Sequence, residues 1–511
     1  MIQLETEPDI ERLRQVAQLL EREVEHLHRR LGELTAALAK ARGEDATAAL
    51  QLEMLLLHEQ LAAQQHKLFG RSSEQRPGPP PREGETPAAA TAPRTGHGPR
   101  RQAELPLVSV RHTLDAADQA CTACGGVLTE MAGQVEASEE IDVVERSYRI
   151  VRHERQKYRC ACGGCVETAL GPPKLVPGGR YSVDFAVAVA VGKFVDHLPL
   201  TRQVRQMARA GLEIDSQTLW DQTLALRYHL VPSYEALHAQ VLSAPVIGAD
   251  ETVWPLLEKG GAKRWYAWSI TCADAVFYRI DPSRSAEAAA RILGEYAGIV
   301  VCDGYGAYSS LAAERSGKAA ASRDGPGSMT LSHCFAHVRR KYLEAEPAYP
   351  EATQALDWIR DLYKIEARAR ESDTEDRRAL TAALRDRESR PLIAALETWL
   401  KSQAVLPKSG LGKAIAYTLG LWPGLVRFLE NPDIPLDNTA TERTMRGIAV
   451  GRKNHYGSKS LRGTQVAALF YSLVESAKLA GVEPAAYLAE ATRRAIANPG
   501  TATLPRDLAS A

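Results

Sequence analysis

The stretch Ala244-Pro245-Val246-Ile247-Gly248-Ala249-Asp250 marks the point where the sequence changes from helical to strand-like periodicity. With the runs at 264–270 and 276–280, which are rich in aromatic and β-branched residues, 246–249 predicts three successive strands. A helix over 285–296, a strand that ends at Asp303 and a helix to about Ser316 are predicted next. This order of strands and helices predicts a mixed α/β domain.

Asp250 and Asp303 each follow an apolar stretch, so both are expected at strand ends. If the two strands pair, the carboxylates become neighbours, which is the arrangement of a ribonuclease-H-like fold. A third acid, Glu442, lies in the helix-like segment 437–443. Mg²⁺ prefers oxygen ligands, and two such ions can activate an attacking oxygen and stabilise a leaving one during phosphoryl transfer. Either Asp alone is more often a helix cap or a solvated loop residue, so the metal interpretation depends on the surroundings.

Those surroundings are basic. The chain has 511 residues and zero formal net charge, so a nucleic-acid site requires local segregation of charge. The stretch 443–462 is segregated in this way: it has no Asp or Glu, and its cations are Arg443, Arg446, Arg452, Lys453, Lys459 and Arg462. Carboxylates beside many cations indicate a polyanionic substrate such as nucleic acid.

A short strand is predicted to run into a basic helix within 328–343, where Arg339, Arg340 and Lys341 follow one another. Cys334 and His337 have helical spacing there and could be metal ligands. A packed cysteine and a hydrogen-bonded histidine are the more common alternative. Residues 346–430 are predicted to be helical and charged, as an insertion into the catalytic fold.

Helices are also predicted on both sides of this domain. One opens at Leu198-Pro199-Leu200 and ends at Gly211; the next is capped by Asp215 or Ser216 and runs from Gln217 to about Tyr228. The pair fits either a DNA-binding helix-turn-helix or an ordinary αα-hairpin. Near the C-terminus, a strongly amphipathic helix is expected over 465–480 and a frayed tail past Asn498.

The N-terminal segment has a heptad pattern. Apolar residues recur at steps of four and three, apart from an Ala17, at Leu13, Leu20, Val24, Leu27, Leu31, Leu34 and Leu38. This pattern predicts a coiled coil and self-association; a single amphipathic helix packed on its own domain is the alternative. Residues 70–108 are rich in Pro, Gly, Ala and Arg, and predict a disordered linker.

A cysteine cluster predicts one structural zinc ion. Tetrahedral Cys₄ sites use two closely spaced pairs, and Cys121-x-x-Cys124 and Cys162-x-x-Cys165 have that spacing. Cys160 is an alternative to Cys162 as a ligand. The residues between the pairs alternate at 141–144 and 148–151, which predicts a β-hairpin between them.

No signal peptide or membrane span is predicted. The N-terminus lacks a basic and then apolar leader, and the longest apolar run, 185–191, is too short to cross a bilayer. A cytoplasmic, nucleoid-associated location is therefore expected, with reduced thiols rather than disulfides.

The ordered set of motifs resembles the bacterial insertion-sequence transposases of the DDE class, specifically the large transposase of the IS66 family. The resemblance covers nearly the whole chain. Its motifs are the N-terminal zipper, 67–74 (Lys-Leu-Phe-Gly-Arg-Ser-Ser-Glu), the cysteine pairs, 196–203 (Asp-His-Leu-Pro-Leu-Thr-Arg-Gln), Asp250-Glu251-Thr252, Cys302-Asp303-Gly304-Tyr305, the run 334–341, the run 437–443, Gly451-Arg452-Lys453-Asn454 and Tyr471-Ser472-Leu473-Val474-Glu475. Two departures are the three-cysteine group Cys160-Ala161-Cys162-Gly163-Gly164-Cys165, and His455-Tyr456-Gly457 where relatives often carry a turn with Trp and Phe.

The resemblance implies a multidomain α/β protein with a ribonuclease-H-like catalytic domain and a DDE triad of Asp250, Asp303 and Glu442. These acids would hold two Mg²⁺ (or Mn²⁺) ions per site. DNA contacts are expected from Asn438, Arg443, Arg446, Arg452, Lys453, Arg339, Arg340 and Lys341. Asn438 lies one helical turn before Glu442 and is expected on the same face, orienting a ligand or touching DNA.

The expected division of the chain is a coiled coil (1–69), a linker (70–108), a zinc-binding β module (109–178), a helical region (179–240), the catalytic domain (241–345 and 431–462), the helical insertion (346–430) and a C-terminal helical segment (463–511). The expected activity is cleavage at insertion-sequence ends and strand transfer into target DNA. Expected partners are double-stranded DNA, further copies of the chain and small accessory proteins of the same element. Two rivals are an inactive transposase-derived DNA-binding protein and a hydrolytic nuclease of the same fold.

The cysteine pairs lead to a direct prediction. The purified full-length chain should contain about one zinc ion per molecule, because metal binding and folding of such modules are coupled. Cys121→Ser should lose the zinc, as measured by elemental analysis of the protein after reduction and gel filtration. A wild-type chain free of zinc would show that the pairs have another role.

Overall fold

The computed structural model describes Gly32 and residues 147–159, 166–258, 261–321 and 328–509. Apart from Gly32, the predicted coiled coil lies outside the described residues, as does the linker. The cysteines proposed to bind zinc also lie outside them: Cys121, Cys124, Cys160, Cys162 and Cys165.

A small antiparallel pair comes first. Strand β1 (Lys157–Arg159) pairs with β2 (Val166–Thr168), and Tyr158 lies opposite Glu167. The expectation of a strand at 148–151 is wrong. That stretch has no strand, and Ile150 is 90% exposed, so its alternating pattern is not covered by a second layer.

Three helices follow: α1 (Val183–Phe194), α2 (Leu200–Arg209) and α3 (Ser216–Ser243). The predicted turn between α2 and α3 is confirmed. Gly211 adopts a φ of 79°, and the Asp215 carboxylate accepts a hydrogen bond from Thr218 N at 2.6 Å.

Helix α3 is much longer than predicted. It continues past Tyr228 and through Pro232 to Ser243. Its buried apolar positions continue with helical spacing at Leu226, Leu230 and Leu237, so packing on the core outweighs the hydrogen bond that Pro232 cannot make.

The three predicted strands of the central domain are confirmed. They are β3 (Val246–Glu258), β4 (Gly261–Thr271) and β5 (Val276–Asp281), joined as an antiparallel meander. The first is longer than expected, because it pairs with β4 from Gly248 to Glu258 and buries Trp254 and Leu256 in this added part. Asp250 therefore lies within β3 and not at its end.

The rest of the sheet alternates with helices, in the order α4 (Ala286–Leu293), β6 (Ile299–Cys302), β7 (Thr330–His333) and α6 (Phe335–Ala345), with α5 (Gly306–Ala321) between β6 and β7. The five strands lie in the order β5-β4-β3-β6-β7. Strand β6 runs parallel to β3, and β7 runs parallel to β6. The first strand of the meander is thus the centre of the sheet.

A second helical layer covers the β7 side. It consists of α7 (Ala352–Glu371), α8 (Arg377–Leu384), a π-helical turn (Arg385–Ser389), α9 (Arg390–Ser402), α10 (Gly410–Leu425) and a 3₁₀ turn (Val426–Leu429). The predicted helical character of 346–430 is confirmed. Its description as charged fits α7 but not α10, which buries Leu411, Ala414 and Leu425 in a core shared with Val301 of the sheet.

Helix α10 packs closely on β7, the edge strand of the sheet. A Cβ atom at Gly424 would lie 2.3 Å from His333 Cδ2, so only glycine fits there. Ser332 Oγ donates to Gly424 O at 3.2 Å, and Arg427 Nε donates to Leu331 O at 3.1 Å. These contacts satisfy polar groups at an edge that would otherwise be open to another strand.

One buried arginine connects this layer to the chain that follows it. Arg385, in the π-helical turn, is 2% exposed and makes two hydrogen bonds to the Glu366 carboxylate, at 2.8 and 2.7 Å. Its remaining donors reach Phe428 O, Asn431 O and Ile434 O at 2.7, 3.0 and 3.0 Å. All five guanidinium N–H groups are therefore used, and the segment 428–434 is held in place.

The chain ends in three helices, α11 (Thr439–His455), α12 (Leu461–Leu479) and α13 (Pro484–Ala497), and a 3₁₀ turn (Pro505–Asp507). The expectation that α12 is amphipathic is wrong, because every residue from Val466 to Val474 is buried. The expectation of a frayed tail past Asn498 is also wrong. Thr503 is 2% exposed, accepts a hydrogen bond from Tyr487 and donates its N–H to Ser233 Oγ at 2.9 Å.

Burial of α12 on all sides is explained by its position against β5, the other edge of the sheet. Ser472 Oγ accepts from Tyr278 N at 2.8 Å, and Ser476 Oγ accepts from Val276 N at 2.9 Å. The hydroxyls thus take the place of a neighbouring strand. None of the helices within the described ranges is both long and apolar enough to cross a membrane.

We expect Arg385→Ala to lower the free energy of unfolding by about 3–5 kcal/mol, because it leaves the Glu366 carboxylate without its partner. Arg390→Ala is the matched control: that arginine pairs with Asp386 at an exposed site, where a pair contributes about 1 kcal/mol or less. Urea unfolding monitored by tryptophan fluorescence would measure both. Equal effects of the two changes would show that Arg385 does not stabilise the fold.

Candidate active site

Asp250 and Asp303 lie on neighbouring strands, as predicted. Strands β3 and β6 pair in parallel from Val246 opposite Ile299 to Gly248 opposite Val301. Asp303 follows the last residue of β6, and Asp250 lies two residues past the last parallel pair, where β3 continues against β4 alone. Both acids therefore lie just beyond the same end of the parallel pairing between β3 and β6.

The electrostatics place Glu442 in the same site. Burial, and after it the charges of Glu251, Asp303 and Glu442, together raise the pKa of Asp250 to about 7. A hydrogen bond from Glu251 N to Asp250 Oδ1, at 2.8 Å, acts in the opposite direction. The structure thus brings Asp303 and Glu442 within electrostatic reach of Asp250, whose negative charge their carboxylates disfavour.

The loop that carries Asp303 is fixed from two directions. Tyr305 N donates to Asp303 Oδ1 at 2.8 Å, and Tyr417 of α10 donates its hydroxyl to Asp303 O at 2.6 Å. Gly304 has a φ of 87°, and a Cβ atom there would lie 2.7 Å from Leu421 Cδ1. The helical layer therefore fixes the backbone at this acid.

Glu442 lies in the first turn of α11, whose N-terminus docks directly on β3. Asn438 Nδ2 donates to Ala249 O at 2.8 Å, and Asn438 N donates to Cys334 Sγ at 3.2 Å. A Cβ atom at Gly248 would lie 1.9 Å from Thr441 Oγ1. Asn438 is 2% exposed, so the expectation that it touches DNA is wrong: it holds α11 on the residue before Asp250.

A network missed in the sequence lies beside Asp250. Glu251 is buried and accepts two hydrogen bonds from Arg284, at 2.9 and 2.6 Å, and one from Tyr308, at 2.8 Å. The Arg284 guanidinium lies 3.8 Å from the centre of the Tyr305 ring, whose hydroxyl donates to Arg284 O at 2.8 Å. The partners of Glu251 are 33 and 57 residues away along the chain, so no local sequence pattern predicts them.

Cys334 and His337 both lie near Glu442, but their contacts differ. Cys334 is 1% exposed and accepts the Asn438 N–H bond, which confirms a packed cysteine. His337 Nδ1 lies 3.7 Å from Glu442 Oε1. Both atoms are buried and without a hydrogen-bond partner among the described residues, so the expected hydrogen bond to this nitrogen is not made.

The basic residues lie on α6 and α11, the helices that carry His337 and Glu442. Arg443, Arg446 and Lys453 are exposed on α11, and Arg340 and Lys341 are exposed on α6; Arg339 is half-buried. Arg452 differs from the expectation of an open cation, because it donates to Thr252 Oγ1 at 2.8 Å and to Val253 O. It braces α11 against β3 and is only partly exposed.

Clustered carboxylates where the parallel pairing of two central strands ends, with cations on the adjoining helices, are typical of enzymes that act on polyanionic substrates. The sequence model described as "Transposase IS66 family" matches residues 178–466, which include all three acids. A second, "zinc-finger binding domain of transposase IS66", matches residues 118–163. The chain belongs to the IS66 family of transposases.

Curated relatives agree with the extent of this match. "Uncharacterized protein y4jD" of Sinorhizobium fredii (strain NBRC 101917 / NGR234) is 33% identical over 404 residues, covering 76% of this chain and 77% of the relative. "Uncharacterized protein y4hP" of the same strain is 27% identical over 406 residues, covering 75% and 71%. The zinc-finger match includes Cys121, Cys124, Cys160 and Cys162 and ends before Cys165.

The repulsion among the acids leads to a prediction for the metal-free chain. Because the pKa of Asp250 is raised from 3.8 to about 7 on folding, the unfolded chain releases this proton first as pH rises. The contribution of Asp250 to the stability of the folded state therefore falls between about pH 4 and pH 7 and is constant above pH 7. Asp250→Asn removes this loss, so it should raise the unfolding temperature by roughly 2–5 °C at pH 8 and by less at pH 5.

Differential scanning fluorimetry in the presence of a chelator would measure both proteins. Addition of Mg²⁺ at pH 8 should stabilise the wild type and leave Asp250→Asn nearly unchanged, since ligands stabilise only a state that binds them. An Asn variant that is less stable at pH 8 would mean that the Asp250 charge is stabilised by its surroundings.

Proposed function

We propose that this protein is a metal-dependent DNA transposase that cleaves DNA at the ends of its insertion sequence and joins the released strand to target DNA. The observation that carries the proposal is the convergence of Asp250, Asp303 and Glu442 from three separate elements of a family member. The strand order β5-β4-β3-β6-β7, with an antiparallel meander and two parallel strands, supports a ribonuclease-H-like catalytic domain.

The donor set fits hard divalent cations. Asp250, Asp303 and Glu442 supply carboxylate oxygens, and Glu442 Oε1 is buried without a hydrogen-bond partner among the described residues. We propose that these three acids hold two Mg²⁺ or Mn²⁺ ions. When bound, such ions would activate the attacking oxygen and stabilise the leaving oxygen at phosphorus.

The remaining residues of the site position the reacting groups. Asn438 and Gly248 fix Glu442 relative to Asp250, and Tyr305 and Tyr417 fix Asp303. Arg443, Arg446 and Lys453, with Arg340 and Lys341, are exposed on the helices that flank Glu442, where they can bind DNA phosphates. Phosphate contacts orient the duplex without reading its sequence.

Two further elements of the proposal concern assembly. A single structural zinc ion in the cysteine module would order the segment before the catalytic domain. The N-terminal heptads would join copies of the chain into a synaptic complex; light scattering of the chain before and after removal of residues 1–65 tests this.

Asp303→Asn provides the central test. Asparagine keeps the acceptor for Tyr305 N and removes the charge, so the variant should fold and bind element-end DNA like the wild type. Cleavage and joining with Mg²⁺ should both fall by about a thousandfold or more, because several kcal/mol of charge stabilisation is lost. Gel analysis of labelled element ends would resolve nicked, excised and joined products.

Asp386→Asn, at a side chain that is 74% exposed on the helical layer, is the matched control and should cleave normally. Near-normal cleavage by Asp303→Asn would place the metal site elsewhere. Cleavage without joined products in the wild type would favour the hydrolytic nuclease, and DNA binding without cleavage would favour the inactive DNA-binding protein.

A further inference from the structure

His337 lies opposite Glu442 although it belongs to none of the acidic elements. It is on α6, one turn after Cys334, and its Nδ1 is 3.7 Å from Glu442 Oε1. The two helices are locked together at this point. Phe335 N donates to Leu436 O at 3.1 Å, and Asn438 N donates to Cys334 Sγ at 3.2 Å. The spacing of the two side chains is therefore set by the backbone on either side.

Neither of the facing atoms is satisfied. His337 Nδ1 and Glu442 Oε1 are both buried and have no hydrogen-bond partner among the described residues. A buried polar atom left in this state destabilises the fold. A separation of 3.7 Å is too long for a hydrogen bond between them. The two atoms are therefore candidate ligands for one group bound between them.

A metal ion matches this gap. Bonds from one ion to an imidazole nitrogen and to a carboxylate oxygen add up to about 4.1 Å, which exceeds the 3.7 Å between the two atoms. One ion can therefore contact both without a rearrangement of the helices. The sulfur of Cys334 lies within 4.8 Å of a ring nitrogen of His337 and of a carboxylate oxygen of Glu442, but it already accepts the Asn438 N–H bond and so has a structural role.

We propose, on the basis of the metal-dependent function above, that His337 is a ligand of the same divalent cation as Glu442. The triad of acids is then extended by one nitrogen donor. Mg²⁺ strongly prefers oxygen ligands, whereas imidazole binds first-row transition ions well. The cation at Glu442 is consequently bound more tightly as Mn²⁺ than as Mg²⁺.

Pulsed electron paramagnetic resonance of the full-length, untagged chain with Mn²⁺ tests this directly. A nitrogen bound to Mn²⁺ gives a ¹⁴N coupling, which the wild type should show. His337→Ala and His337→Gln should lose the coupling and bind Mn²⁺ about tenfold more weakly or worse, with a smaller effect on Mg²⁺. His229→Ala is the matched control: that half-buried helical histidine contacts Leu175 O at 2.9 Å, away from the acids, and its removal should leave the coupling intact.

The outcomes separate this proposal from the general function. Mn²⁺ bound without ¹⁴N coupling, or a coupling that persists in His337→Ala, would overturn the ligand role; recovery of DNA cleavage by His337→Gln in that case would assign His337 to positioning Glu442. A wild type with the coupling that fails to cleave element ends would instead overturn the transposase proposal while the metal ligand stands. If His337→Ala does not fold, the wild-type spectrum and His337→Gln still decide.

Discussion

The close approach of α11 to β3 is the contact on which the site depends. Thr441 Oγ1 occupies the space where a side chain at Gly248 would be, and Asn438 donates to the carbonyl of Ala249, a separation of 189 residues along the chain. Glu442 follows within one turn of Asn438, and Asp250 follows Ala249 directly. A hydrogen bond and a missing Cβ atom therefore set the distance between two of the acids, and a small displacement of α11 would move Glu442 out of the site. Such precision is needed because catalytic geometry tolerates only small errors.

The helical layer between β7 and α11 supports the contact between α11 and β3. It reaches Asp303 through the Tyr417 hydroxyl and the Leu421 side chain, and it reaches the segment before α11 through three of the five hydrogen bonds that Arg385 donates. The same layer satisfies polar groups on β7, while the serines of α12 satisfy those on β5 at the opposite edge. The insertion is therefore part of the domain's core and part of the site's support, although the sequence presents it as an interruption.

Local patterns in the sequence are sufficient for the strands of the five-stranded sheet, for most of the helices and for the positions of Asp303 and Glu442, because each depends on a few neighbouring residues. They failed where distant parts of the chain decide the outcome. The length of β3 depends on β4, and the burial of α12 depends on its place against β5. The sequence predicts that Asn438 orients a ligand or touches DNA, because the pattern cannot show that β3 lies against it. The Glu251–Arg284 pair was missed for the same reason.

Successive residues of β3 show why one acid is structural and the next is available for chemistry. Alternation of side chains along a strand sends Asp250 and Glu251 to opposite faces. Glu251 meets the guanidinium of Arg284 and the hydroxyl of Tyr308, so its charge is satisfied within the fold. The charges that act on Asp250 are other carboxylates, and burial adds to their effect. The hydrogen bonds to Glu251 stabilise the fold. The position of Asp250 close to Asp303 and Glu442 does not stabilise it, because like charges repel. The unsatisfied atoms Glu442 Oε1 and His337 Nδ1 lie 3.7 Å apart, and the charge of Glu442 is one of those that act on Asp250. A cation bound among these acids would relieve the repulsion on Asp250 and satisfy the unpaired atoms together.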